Sequence, residues 1–406
     1  MSRRWVQVPV ILATLALAAG CALLLRAPTL QARSAAFEPE NMAWSFRHMS
    51  ELFPSRTVRR AGPVSALESV PTPLDAVVYQ VGDEQRVFGE FFERNRTGGL
   101  VVLHRGRIVH ERYAQGAGPE TRFTSWSVAK SFVSTLVGLA LQEGAIESLD
   151  DPLERYVAEL RGTAYEGVSV RQALQMSSGV EFSEVYAEGD SDVMTFMVDT
   201  LITNRKRANE VAAGFPRGRP PGTAFNYNTA ETQILGWLVR EATGRSPAAY
   251  LEEKLWSRLG MEHDATWLLD REGVNGDGME MSGCCLNASL HDWARFGQLF
   301  LQDGIWQGER LLSKGWVSEA TTPGAPHLAF GGVEPPSEAG YQYQWWAYSD
   351  GSYAAEGVYG QWIWVDPGRE VVIAMASAWP DSWPDAYAVE ALSAFRAVAA
   401  QLSAAP

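Results

Sequence analysis

Strand signals lie at both ends of this chain and helical signals lie between them, an order that constrains the fold more than any other feature. Near the front, Gly98-Gly99-Leu100-Val101-Val102-Leu103-His104 and Ile108-Val109-His110-Glu111-Arg112-Tyr113 flank Arg105-Gly106-Arg107, which predicts a strand, a turn and a strand. Near the end, residues 341–348 are aromatic and alternating, and Ser349-Asp350-Gly351 reads as a turn. Residues 361–365 and 371–375 flank a second turn, Asp366-Pro367-Gly368-Arg369. Between the two ends, apolar positions recur at helical spacing over 127–143, 171–176, 229–242, 250–259 and 290–301. A last amphipathic helix is predicted over 385–402. Strands at both ends with helices inside imply one sheet completed by both ends of the chain. The expected class is α+β: an antiparallel sheet flanked by helices, with a large helical region inserted. The domain is expected over residues 86–406, with its sheet part near 86–125 and 335–406 and its helical part near 127–330.

The chain ahead of that domain has a different character. Arg3 and Arg4 precede an apolar run over residues 8–25, closed by Arg26, which is the pattern of a targeting segment rather than of a folded element. Its length is near the lower limit for crossing a bilayer. An uncleaved anchor, a lipoprotein signal and a simple cleaved signal all stay open. Leu17-Ala18-Ala19-Gly20-Cys21 resembles a lipoprotein box, although Ala18 stands where Leu is usual. Each alternative places the domain outside the cytoplasm, on the periplasmic side, and the first two attach it to a membrane. Residues 28–85 mix Arg, Pro, Ser and scattered aromatics without periodicity and are expected to form an extended arm.

Composition narrows the function. At 406 residues and 46% apolar the chain can bury a large core, and a net charge of −14 argues against a nucleic-acid partner. Three cysteines cannot build a disulfide framework. Cys284 and Cys285 are adjacent, a poor geometry for a bridge, and are expected as small buried hydrophobes. Six scattered His without His-Glu-x-x-His spacing suggest no metal site, and no cofactor is expected. No Gly-x-Ser-x-Gly elbow is present for a Ser-His-Asp hydrolase.

Chemistry concentrates in Thr124-Ser125-Trp126-Ser127-Val128-Ala129-Lys130-Ser131, which opens the most apolar helix of the chain. Spacing i, i+3 puts Ser127 and Lys130 on one face, and the helix N-terminus favours developing negative charge. Burial lowers a lysine pKa, so a neutral Lys130 can take the Ser127 proton. Alone the pair is weak: with four lysines in the chain, chance supplies one Ser-x-x-Lys in roughly one such sequence out of four. Two further segments strengthen it. Pro221-Gly222-Thr223-Ala224-Phe225-Asn226-Tyr227-Asn228-Thr229 is turn-rich and leads into a helix, and a Tyr held near a Lys can act as a phenolate base and pass a proton. Ala355-Glu356-Gly357-Val358 opens a strand where glycine permits close approach and an edge N–H can serve as an oxyanion donor.

The order Ser127-x-x-Lys130, Tyr227, then the Gly357 strand resembles the serine β-lactamase and penicillin-binding-protein superfamily. More narrowly, it is similar to the class C β-lactamase-related esterases and amidases, 6-aminohexanoate-dimer hydrolases among them. The likeness runs over about residues 85–400 and includes Gly144 to Pro152, Val168 to Gly179, Tyr227 to Gly244 and Gly283 to Gly304. It implies a β-lactamase/transpeptidase-like fold, Ser127 as nucleophile, Lys130 as base and Tyr227 as proton shuttle. The Ser127 and Val358 N–H groups would form the oxyanion hole. Tyr186, Trp126, Thr229, Glu356 and Gly357 are the residues expected at the substrate, and the irregular stretches 215–221 and 326–341 are expected to shape the pocket with Tyr186. Two departures stand out. Ala355-Glu356-Gly357 replaces Lys-Thr-Gly, so the cation that holds a substrate carboxylate is missing. Thr229 replaces the usual Asn or Ser of the Tyr motif. The resemblance thus implies hydrolysis of a small ester or amide through an acyl-enzyme. A cell-wall D-peptide peptidase and a catalytically silent binding protein on the same scaffold remain the alternatives.

Overall fold

In the computed structural model, described over residues 30–271, 277–333 and 338–404, both ends of the chain meet in one sheet. Its seven strands are β1 (Thr97–His104), β2 (Arg107–Tyr113), β3 (Ala339–Gln342), β4 (Trp345–Tyr348), β5 (Tyr353–Gly357), β6 (Gln361–Asp366) and β7 (Val371–Ser377). They lie in the order β3-β4-β5-β6-β7-β1-β2, every neighbouring pair antiparallel. The closing pair is β7 with β1, from Val371 opposite His104 to Ser377 opposite Thr97. The arrangement is the α+β one expected from the order of the elements, and it is the β-lactamase/transpeptidase-like fold that the resemblance implies.

Two layers cover this sheet. On one face the helix α1 (Ala129–Gln142) is buried through Ala140, as its all-round apolar sequence requires. It packs Phe132 on Phe296 of α3 (Leu290–Leu301), ring centroids 3.8 Å apart. Between them in sequence, α2 (Thr229–Thr243) begins at Asn228, whose side chain accepts from the Glu231 N–H, and stops at Gly244 with φ of 67°. The other face is sealed by α4 (Asp385–Ala404), which sets Phe395 against Trp362 and Trp364 of β6.

Two expectations require correction. The stretch 341–348 is not one strand. It breaks into β3 and β4 around Tyr343 and Gln344, at φ of 33° and 66°. Buried hydrogen bonds hold that turn without glycine: Gln344 donates to the Ala173 and Leu174 carbonyls, and its own carbonyl accepts from Ser131. Nor is the segment ahead of the domain an extended arm. Short helices at Met42–Ser45 and Met49–Leu52, a strand at Ser55–Val58 and a hairpin of Val78–Val81 with Glu84–Val87 fold it onto the domain. The Ser55–Val58 strand pairs with Ala265–Leu268, so a small second sheet lies inside the supposedly helical region. Met42, Phe46, Met49 and Phe53 recur at helical spacing and are buried in the same core as the domain, but the helices that carry them are single turns, too short to stand out in the sequence.

The apolar run over residues 8–25 and Cys21 lies outside the described residues. Among the described residues no helix is long and apolar enough to cross a membrane.

Candidate active site

Ser127 sits in a single turn of 3-10 helix, Trp126–Val128, immediately ahead of α1, and Lys130 occupies the first turn of α1. Both are buried. The lysine Nζ donates to Ser127 Oγ at 2.8 Å, to Thr229 Oγ1 at 3.0 Å and to the Gly283 carbonyl at 2.8 Å. Those three acceptors fix the ammonium group, but none is a carboxylate. Burial therefore dominates and drops the Lys130 pKa from 10.5 to about 8, although the nearby Glu184 pulls it back up.

Tyr227 completes the set. Its phenol hydrogen-bonds Ser127, and its ring lies 5.0 Å from the Lys130 Nζ. Burial, then the charges of Glu184 and Glu356, holds this phenol well above its ordinary range, against the pull of the Ser127 hydrogen bond. That direction works against a standing phenolate at Tyr227. Its ring is stacked on Trp346 at 5.7 Å and wedged against Tyr341 at 6.1 Å.

The end of β5 passes directly beside the nucleophile. A Cβ added to Gly357 would lie 2.6 Å from the Ser125 carbonyl and 3.0 Å from the Ser127 N–H, so only glycine fits there. β4 pairs with β5 only through Ala354 and Tyr353, so the other half of β5 turns its edge towards a cavity of about 340 Å³. Ser127, Tyr186, Tyr227, Glu356, Gly357 and Val358 line that cavity, as expected of a substrate site.

The expected substrate set is otherwise modified. Trp126 does not line the cavity. At φ of 42° its indole turns into a cluster with Phe46, Tyr359 and Phe37, centroids 5.2, 5.6 and 5.9 Å away. Thr229 is buried behind Lys130 and is a positioning residue, not a substrate contact: it accepts from the lysine and donates to Glu184 Oε1 at 2.5 Å. Among the described residues, none of segments 215–221 and 326–341 lines the cavity, and Asp381, Ser382, Trp383 and Trp346 do.

Glu184 is the residue that sequence reasoning missed. Its carboxylate collects the Thr229 N–H at 3.0 Å, the Thr229 hydroxyl and the Tyr186 phenol at 2.8 Å, linking the lysine to the cavity wall. Its place two residues before Tyr186 was the one available signal. Cys284 and Cys285 also differ from expectation, since they form a disulfide between neighbours. Cys285 stands at φ of 73°, an αL backbone that lets adjacent side chains turn to the same side. The preceding carbonyl, Gly283, is the one that holds Lys130.

A buried hydroxyl with a buried amine 2.8 Å away, a phenol donor beside it and a tight backbone strand end opposite is an arrangement for acyl transfer. The Beta-lactamase family model matches residues 85–395. A 6-aminohexanoate-dimer hydrolase of Paenarthrobacter ureafaciens is 32% identical over 364 residues, covering 87% of this chain and 89% of that protein. Among solved structures, a Bacillus anthracis protein provisionally assigned as a 6-aminohexanoate-dimer hydrolase superposes with a TM-score of 0.81 at 25% identity. That match covers 90% of this chain and 96% of the other. A penicillin-binding-protein homologue from Caulobacter crescentus shares the fold alone, with a TM-score of 0.59 at 16% identity over 76% of this chain and 96% of its own. With a family model spanning most of the domain and a relative aligned along nearly the whole chain, the protein belongs to the beta-lactamase family of serine hydrolases.

Proposed function

We propose that the chain cleaves a small carboxylic ester or amide through an acyl-enzyme on Ser127. The contact between Lys130 Nζ and Ser127 Oγ, buried and 2.8 Å long, carries this reading. In this scheme neutral Lys130 takes the Ser127 proton as Oγ attacks the carbonyl carbon. The Ser127 and Val358 N–H groups receive the oxyanion, and Tyr227 donates a proton to the departing oxygen or nitrogen. Tyr227 is re-protonated from Lys130, and water then releases the acyl group. The 32% identical 6-aminohexanoate-dimer hydrolase supports an amide substrate with apolar methylene parts, which suits a cavity walled by Tyr186, Trp346 and Trp383.

Intact-mass analysis after incubation with a small fluorophosphonate is expected to show one adduct, absent from Ser127→Ala. Because burial places the Lys130 pKa near 8, the base form grows as pH rises and the labelling rate should climb about tenfold per unit below pH 8, then level off. An unlabelled folded protein would leave the scaffold as a binding module. A rate that peaks in acid would remove Lys130 from the role of base.

We also place the domain on the periplasmic side, held by its N-terminus. Arg3, Arg4 and the apolar run over 8–25 support this. A fusion of residues 1–35 to alkaline phosphatase, which is active only after export, should show phosphatase activity in whole cells, and an inactive fusion refutes the placement.

A further inference from the structure

The two N–H groups proposed for the oxyanion belong to Ser127 and Val358, and each has a neighbour in the left-handed region of the backbone. Trp126, just before Ser127, stands at φ of 42°, and Tyr359, just after Val358, at φ of 62°. Neither is glycine, and a bulky residue persists in that region only where its surroundings hold it. The Trp126 indole N–H is buried without a hydrogen-bond partner, so packing of its ring has to do the holding. Phe46 supplies that packing. Its ring centroid lies 5.2 Å from that of Trp126 and 5.2 Å from that of Tyr359, and those two rings are 5.6 Å apart. The Phe46 carbonyl also accepts the Thr124 N–H at 2.8 Å, which ties it to the start of the nucleophile turn. Phe46 is 4% exposed and follows the Met42–Ser45 helix, ahead of residues 85–395 that match the family model.

An oxyanion hole stabilises charge only while both of its donors point at one position. Gly357 sets how near the strand end comes to the nucleophile turn, since a Cβ there would lie 3.0 Å from the Ser127 N–H. The three rings set how the turn and the strand end face each other, because one ring touches the residue beside each donor. We propose that Phe46 is a positioning residue for acyl transfer: wedged against Trp126 and Tyr359, it keeps the Ser127 and Val358 N–H groups convergent. The proposal rests on Ser127 and Val358 forming the oxyanion hole and adds what holds them in place. Phe37, from the same segment, backs Trp126 at 5.9 Å. The chain ahead of the domain thereby becomes part of the working site.

The test uses the full chain and follows labelling of Ser127 against fluorophosphonate concentration, which separates the limiting rate from the half-saturating concentration. The phosphoryl oxygen of the reagent needs the same two donors as the oxyanion. Phe46→Leu, which fills the space without a ring, is expected to lower the limiting rate about tenfold, and Phe46→Ala about a hundredfold, the scale of a misplaced catalytic group. Half-saturation should stay within about twofold, because binding ahead of reaction does not use the donors. Phe53 is the control. It is 4% exposed in the same core and meets Phe37 at 6.3 Å, but among the described residues it has no ring contact with Trp126 or Tyr359. Phe53→Leu and Phe53→Ala should lower the melting temperature as much as the Phe46 variants do and still label at the parental limiting rate. Should Phe46→Ala not fold, Phe46→Leu decides alone. Parental labelling by Phe46→Leu overturns the proposal. So does an equal loss in Phe53→Leu, which would make the effect one of general stability, or a loss confined to half-saturation. A parent that takes no label refutes the nucleophile itself and removes the role of Phe46 with it.

Discussion

Lys130→Met is expected to lower kcat/KM at least about a thousandfold, on the scale of a lost general base, while the fold persists. The second half of that expectation is the more informative. Holding the lysine pKa at about 8 rather than 10.5 in a fully buried site costs the folded state about 3 kcal/mol at neutral pH. Methionine has similar length and no charge to desolvate. Its drawback is that the Gly283 carbonyl loses its lysine donor, a penalty of about 1–3 kcal/mol. The two terms nearly cancel, so thermal unfolding of the variant should lie close to the parent. A second signature follows from the sign of the shift. Because the folded pKa is below the unfolded one, the parent carries the full cost below pH 8 and sheds it as pH rises to 10.5, whereas the variant shows no such rise from this position. Near-parental hydrolysis by Lys130→Met would remove the lysine from the mechanism.

Gly357→Ala should cost about a hundredfold in kcat with little change in KM. The added methyl would lie 2.6 Å from the Ser125 carbonyl and 3.0 Å from the Ser127 N–H, both backbone atoms of the turn that carries the nucleophile. Neither can give way without moving Ser127 or the end of β5. In the proposed mechanism, either movement takes the Val358 N–H away from the position where the oxyanion would form, and loss of one such donor has this magnitude. Gly118→Ala is the matched control, because a Cβ there meets nothing within 4 Å. Steady-state kinetics of the pair decide it: equal kcat values would show that the strand end is not part of the machinery.

How much of this site was legible in the sequence follows from how each residue reaches it. Ser127 and Lys130 share one helical turn, so their contact follows from spacing alone. Tyr227 precedes the N-cap of α2 in a turn-rich segment, which marks it as held, though not by what. Glu184 is different in kind. It meets Thr229 across 45 residues of chain, and no local pattern encodes that contact. The same holds for Asp381 and Trp383, which reach the cavity only because the chain leaves β7 beside the end of β5. That both ends of the chain complete one sheet was readable because strand periodicity survives at both ends. The folded segment before it was not, because its helices and strands are only four residues long.

Closing the sheet with strands from opposite ends has a consequence for synthesis. Thr97 and Ser377, joined across β1 and β7, are 280 residues apart. A ribosome must therefore release almost the whole domain before β1 can find its partner, and contacts of such long range make folding slow. Until then the wall formed by β5 does not exist beside Ser127. A nascent chain is thus a hydrolase without a hydrolytic site, and it becomes active only where it is complete.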